Sequence, residues 1–130
     1  VDGNYVLDTN IVIAFFAGDK KTTAELNNPG RLYHLPGIVV GELCYGAFNS
    51  KNADDNIRRI FSLTETLSPL SCDIRTAEYY GRIKTQLGND GKPIPENDIW
   101  IAALAMQYNS VLVTRDIHFR EVKMLQFVQW

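Results

Sequence analysis

Cysteine is scarce: Cys44 and Cys72 are the only two in 130 residues. Two thiols without CxxC spacing make neither a disulfide framework nor a zinc or redox site, so the expectation is free, buried thiols in a reducing cytoplasm. A long apolar run is missing as well. The longest stretch, Val6 to Gly18, is interrupted by Asp8 and Asn10, is too short to span a bilayer and lacks a basic n-region. No membrane partner is expected. Charge of neither sign dominates, because 13 Lys and Arg stand against 15 Asp and Glu for a net of -2. Any nucleic-acid surface must therefore be a local patch. Clustered carboxylates would themselves lower the pI, and a bound cation would reverse their effect on a phosphate. The chain opens at Val1 rather than methionine, which suggests a processed or trimmed start. Internal repeats, low-complexity tracts and interdomain linkers are absent.

What is present suits a folded domain. Hydrophobic residues make up 45% and charged residues 22%, far from the disordered class. A chain of this length can bury a core without staples, so residues 1–130 are expected to form one domain.

Strand and helix signals alternate along the chain. Tyr5-Val6-Leu7 is a buried strand pattern, and Ile11 to Phe16 continues as a helix after an Asp8-Thr9-Asn10 turn. Thr22 to Asn28 is helical and stops at Pro29-Gly30; Leu32 to Leu35 is a strand, and Pro36 fits a helix N-terminus. Ile38, Val39, Leu43, Ala47 and Phe48 recur at helical spacing, which places Glu42 within a helix. A further helix begins near Asn52 or Asp54 and carries Ile57, Ile60, Phe61 and Leu63, followed by a short strand from Leu67 to Leu70. A long amphipathic helix starts at Asp73 and ends at Gly88-Asn89-Asp90-Gly91. Asn97 or Asp98 opens an apolar helix to Tyr108, Val111 to Val113 is a strand, and Phe127-Val128 offers a last one. This alternation predicts an α/β fold, a three-layer α/β/α sandwich around a mostly parallel sheet of four to five strands.

Four acids stand at the joints of this pattern. Asp8 and Asp116 follow apolar strands, Asp98 begins a helix and Glu42 lies beside an apolar helical stripe. Each alone fits a bland role: caps for Asp8 and Asp98, a solvated helix residue for Glu42, a turn for Asp116. Together they suit one site, because open sheets of this class bind ligands beyond the carboxyl ends of their strands. Mg²⁺ and Mn²⁺ take oxygen ligands, and four acids can hold one or two such ions. Without a cation, their mutual repulsion should raise at least one pKa.

The runs Val6-Leu7-Asp8-Thr9-Asn10, Val40-Gly41-Glu42-Leu43 with Tyr45-Gly46, Pro95-Glu96-Asn97-Asp98-Ile99-Trp100-Ile101-Ala102-Ala103, and Val113-Thr114-Arg115-Asp116 with His118-Phe119 occur in that order. Together they resemble a PIN-domain ribonuclease over nearly the whole chain, and the compact length with Gly46 and Gly91-Lys92-Pro93 is most similar to VapC-type toxins of toxin–antitoxin modules. The resemblance implies a metal-dependent endoribonuclease with Asp8, Glu42, Asp98 and Asp116 as its acidic quartet, and Asn10 and Thr114 as supporting polar residues. It also implies an RNA substrate, a homodimer and a small antitoxin whose peptide enters the cleft. One departure is that Ile38, Val39 and Val40 offer no hydroxyl where the family often carries Ser or Thr before the glutamate.

The implied chemistry is in-line attack of metal-activated water on a phosphodiester. With two ions, the products carry a 5′-phosphate and a 3′-hydroxyl, and the RNA 2′-OH is not needed. Asp8 and Asp98 are expected as direct ligands, while Glu42 and Asp116 bind metal, position water or act through a neighbour. Asn10 is expected to orient Asp8 or a metal water. Thr114 and Arg115 are candidate phosphate contacts, with a surface ion pair the alternative for Arg115. His118 as general base is disfavoured, because metal-activated water needs little help, and His34 in a strand suits a core or rim. Tyr45, Tyr79 and Tyr80 suit base stacking, although aromatics at helical spacing more commonly fill a core or a subunit interface. Lys20-Lys21, Arg58-Arg59, Arg82, Lys84 and Lys92 are RNA contacts only if they converge on the acids.

Other classes fit less well. An aspartyl-phosphate phosphatase needs a second acid two residues after the first, where Asn10 stands. A phosphoacceptor receiver needs a pair of acids after its first strand and a late lysine, where Arg115 stands. A PIN-like binding or scaffolding module that does not cleave is the non-enzymatic alternative.

Overall fold

In a computed structural model, residues 3–130 are described, and the expectation attached to Val1 lies outside them. The elements follow the alternating signals: β1 Gly3–Leu7, α1 Thr9–Phe16, α2 Lys20–Leu26, β2 Arg31–Pro36, α3 Gly37–Phe48, α4 Ala53–Thr66, β3 Ser68–Leu70, α5 Ile74–Asn89, α6 Glu96–Gln107, β4 Val111–Val113, a 3₁₀ turn Ile117–Glu121, and β5 Phe127–Val128. The 3₁₀ turn has no counterpart among the sequence expectations.

All five strands are parallel, in the order β3-β2-β1-β4-β5. The chain steps outward from β1 to β2 to β3, then returns across the sheet to β4 on the other side of β1. Because crossovers between parallel strands are right-handed, the reversal sends α1–α4 to one face and α5–α6 to the other. The result is the α/β/α sandwich. It also creates a switch point between β1 and β4, where loops leave in opposite directions and open a crevice. Leu7 lies opposite Val113 in this pair, so Asp8 and Thr114, the next residues, emerge side by side.

Burial explains which signals were clean. Val6, Leu7, Leu35, Leu112 and Val113 are fully enclosed, as strands covered on both faces must be. In α6, Ile101, Ala102, Ala103, Leu104 and Ala105 are all buried. A helix apolar on every side is a core helix, and only its first turn reaches the rim. Gly91, at φ 65°, turns the chain after α5 in a conformation that glycine adopts without a Cβ penalty. The cysteine expectation fails in part. Both thiols are free, but Cys44 is half-buried and Cys72 is exposed, in the loop between β3 and α5. Among the described residues no helix is long and apolar enough to cross a membrane.

Candidate metal centre and cleft

The four acids converge. Asp8, Glu42, Asp98 and Asp116 line one cleft of about 540 Å³, together with Thr9, Asn10, Ile13 and the first turn of α6. Each arrives by a different local device. Asp8 is the N-cap of α1, and its Oδ1 accepts from the Thr9 amide at 2.8 Å. Asp98 is not a cap; Pro95 holds that position without a side-chain bond, and Asp98 follows in the first turn, where the helix dipole favours a negative charge. Asp116 caps the 3₁₀ turn. Capping and site membership therefore coexist in Asp8 and Asp116.

Asp8 is the most enclosed of the four, 5% exposed. Its second oxygen accepts from the Thr114 hydroxyl at 2.7 Å, and that hydroxyl in turn accepts from the Asp116 amide at 3.0 Å. Thr114 thus joins the two strand-end acids across the switch point. Burial pushes the Asp8 carboxyl above its usual range; the bonds from Thr114 and Thr9 pull against this, and the neighbouring Glu42 and Asp116 push further upward. Asp98 is displaced more, to about 6, first by burial and then by the charge of Asp8, with His118 opposing. A raised value is expected from repulsion between the acids; repulsion contributes, but burial contributes more.

The missing hydroxyl beside Glu42 is supplied from elsewhere. Thr9 Oγ1 donates to Glu42 Oε1 at 2.8 Å, so α1 does what Ile38, Val39 and Val40 of α3 do not. Sequence reasoning passed over Thr9, and no local signal links it to a glutamate 33 residues away.

His118 was also undervalued. Its Nε2 lies 2.8 Å from Asp98 Oδ2 and its Nδ1 lies 2.9 Å from Asp116 Oδ1. Both contacts are satisfied by a doubly protonated ring between two carboxylates, or by a neutral ring facing a protonated Asp98. Donor atoms of Asp98, Asp116 and His118 all lie within 4.8 Å of one another, a grouping able to hold a metal ion. The only earlier hint was that His118 stands two residues after Asp116.

Asn10 and Arg115 are placed differently from each other. Asn10 lines the cleft, and its Oδ1 accepts from the Arg115 amide at 3.2 Å, tying α1 to the turn that carries Asp116. The Arg115 guanidinium instead donates to Asp19 at 2.9 Å, Thr22 at 3.2 Å and the Trp130 carbonyl at 3.0 Å. It is not among the cleft-lining side chains. Nor are the other basic candidates. Arg58 pairs with Asp55, Arg82 with Glu78 and Lys84 with Glu96, the last at the cleft rim. Tyr80 stacks on Trp100 at 4.1 Å, whereas Tyr45 is 75% exposed on α3. His34 is half-buried in β2, its Nδ1 has no hydrogen-bond partner among the described residues, and burial pushes its pKa down.

Comparison with known proteins agrees with this geometry. Residues 5–125 match the PIN domain family. The chain is 35% identical over 130 residues to Ribonuclease VapC1 of Haemophilus influenzae strain R2866, covering 97% of each chain. Two solved structures are similar over 98% of each chain: VapBC-1 from nontypeable Haemophilus influenzae, at TM-score 0.89 and 35% identity, and VapBC2 from Rickettsia felis bound to a promoter DNA fragment, at 0.90 and 29%.

Proposed function

The chain belongs to the PIN-domain family, and from that premise we propose that it is an endoribonuclease, the toxin of a toxin–antitoxin pair, acting on RNA phosphodiesters with Mg²⁺ or Mn²⁺. The single observation that carries this reading is the convergence of Asp8, Glu42, Asp98 and Asp116 from four separate segments into one cleft at the switch point. Solved relatives are VapBC pairs, which supports a cognate antitoxin as partner.

The donor set fits a divalent cation: carboxylate oxygens, with Asp8 and Asp98 displaced upward first by burial and then by the charge of their acidic neighbours. Asp8 and Asp98 would hold the ion directly, with Glu42 and Asp116 as further ligands or water-positioning groups. One or two ions would, when bound, supply hydroxide near neutrality and offset charge building on the phosphate. The chain's own residues keep this set in place. Thr114 fixes Oδ2 of Asp8, Thr9 fixes Glu42, and Asn10 holds the Asp116 turn against α1. Asn10 therefore positions a turn through Oδ1 while its side chain still lines the cleft.

The proposal extends to a single nuclease domain over residues 1–130, to a homodimer supported by exposed Tyr45 and Phe48 on α3, and to the cytoplasm as its compartment. The test is incubation of purified protein with structured RNAs and Mg²⁺ or Mn²⁺, with chelator and Asp8→Asn as controls. Cleavage that both controls abolish supports the reading; cleavage that survives in Asp8→Asn overturns it.

A further inference from the structure

We propose that His118 is itself a ligand of this metal centre through Nε2, and that Asp116 acts on the metal by orienting the His118 ring through Nδ1. The centre would then carry one nitrogen among its oxygens. This deepens the metal-dependent reading above and rests on it.

The geometry has three parts. First, the Nε2–Asp98 Oδ2 separation is 2.8 Å, and two ligands about 2.0–2.1 Å from an octahedral ion lie about 3 Å apart. The two atoms are already spaced as neighbours on one coordination sphere. Second, a metal-binding imidazole characteristically gives its other N–H to a carboxylate, which fixes tautomer and ring plane. Nδ1 has such a partner in Asp116 Oδ1 at 2.9 Å. Third, the ring is held in place, 29% exposed and 4.9 Å from the ring of fully buried Phe119. Asp116 is the more solvent-exposed of the two carboxylates at 42%, against 15% for Asp98. The inner acid is thus the ligand and the outer one the support.

A nitrogen donor has a consequence for ion choice. Imidazole favours the later, softer transition ions over Mg²⁺, so the site should prefer Mn²⁺ to Mg²⁺ more than an all-carboxylate site would.

The experiment is Mn²⁺ titration of the full chain with electron spin-echo spectroscopy, on wild type, Asp8→Asn, Asp98→Asn, Asp116→Asn and His118→Asn, with circular dichroism to verify folding. In His118→Asn the amide keeps a group near the Nδ1 position but removes the Nε2 donor. Expected are nitrogen modulation from a directly coordinated ¹⁴N in wild type, its loss in His118→Asn, and its retention in Asp116→Asn with Mn²⁺ affinity lowered about 10-fold or more. The Mn²⁺ to Mg²⁺ affinity ratio should fall in His118→Asn. Mn²⁺ binding that Asp98→Asn weakens, but that shows no nitrogen modulation in wild type, overturns the ligand role while leaving the metal reading intact. Mn²⁺ binding insensitive to both Asp8→Asn and Asp98→Asn overturns both.

Discussion

Replacing Asp98 by asparagine should make the metal-free protein more stable while removing its function. Asp98 sits in the first turn of α6, beside Asp8, and its carboxyl is displaced from 3.8 to about 6. At about 1.4 kcal/mol per tenfold change, ionising it in the folded state at neutral pH costs about 3 kcal/mol. The value of about 6 already includes the opposing pull of His118, and solvent screening of this partly exposed group discounts the cost that asparagine removes. The net gain is about 1–2 kcal/mol, or a Tm rise of about 5 °C for a domain of this size. The pH dependence has a definite sign. A carboxyl whose folded-state value is raised binds its proton more tightly when folded, so its contribution is complete below about 3.8 and is lost as pH rises through about 6. The advantage of Asp98→Asn should therefore be largest above this window and vanish below it. Excess Mn²⁺ should reverse the order, because an ion at about 100 times its Kd stabilises wild type by about 2.7 kcal/mol, and the variant by less. Urea or thermal unfolding in chelator, then in Mn²⁺, across this pH range measures both effects. A variant less stable than wild type in chelator at neutral pH would refute the account of the cleft as a cluster of uncompensated charge.

Further outcomes follow from the threonines and from Arg115. Thr114→Val leaves Asp8 Oδ2 and the Asp116 amide without their shared hydroxyl, which should destabilise the fold by about 1–3 kcal/mol and reduce cleavage; unfolding curves and RNA assays on one preparation measure both. Thr9→Val frees Glu42 while leaving Asp8 capped by its backbone bond, so cleavage should fall by about tenfold with little change in Tm; an equal fall in both would point to a structural role only. Arg115→Ala should lower stability slightly in a salt-dependent way and leave RNA affinity unchanged, since its guanidinium is engaged with Asp19, Thr22 and Trp130; weaker RNA binding by filter assay would restore it as a phosphate contact.

The fold was legible because its two central strands hold short buried apolar runs bounded by turn residues, and because its helices carry either a clear stripe or, in α6, none at all. Val111 to Val113 and Tyr5 to Leu7 show this directly. The convergence of the acids was legible because Asp8, Asp98 and Asp116 stand at joints between elements and Glu42 lies in the helix that directly follows β2. What could not be read is what depends on side chains meeting across the fold. Thr9 reaches Glu42 because α1 and α3 pack together, and His118 reaches Asp98 because a 3₁₀ turn lies at the mouth of α6. Neither approach leaves a period or spacing in the chain. Arg115 illustrates the converse: its place beside the quartet suggested a phosphate contact or a surface ion pair, and the side chain pairs with Asp19, the N-cap of α2. Cys72 failed for a related reason, since a lone cysteine before a capping aspartate carries the constraints of its loop rather than of the core.

The switch point between β1 and β4 also sets a schedule. Thr114, Asp116 and His118 belong to the last strand-and-turn unit before the closing β5, and Asp8 finds its hydroxyl partner 106 residues downstream. A chain emerging from the ribosome would carry Asp8 and Glu42 well before the segment that draws the site shut. The cleft cannot be completed until the chain through His118 has been made, so synthesis itself would delay its activity to that point.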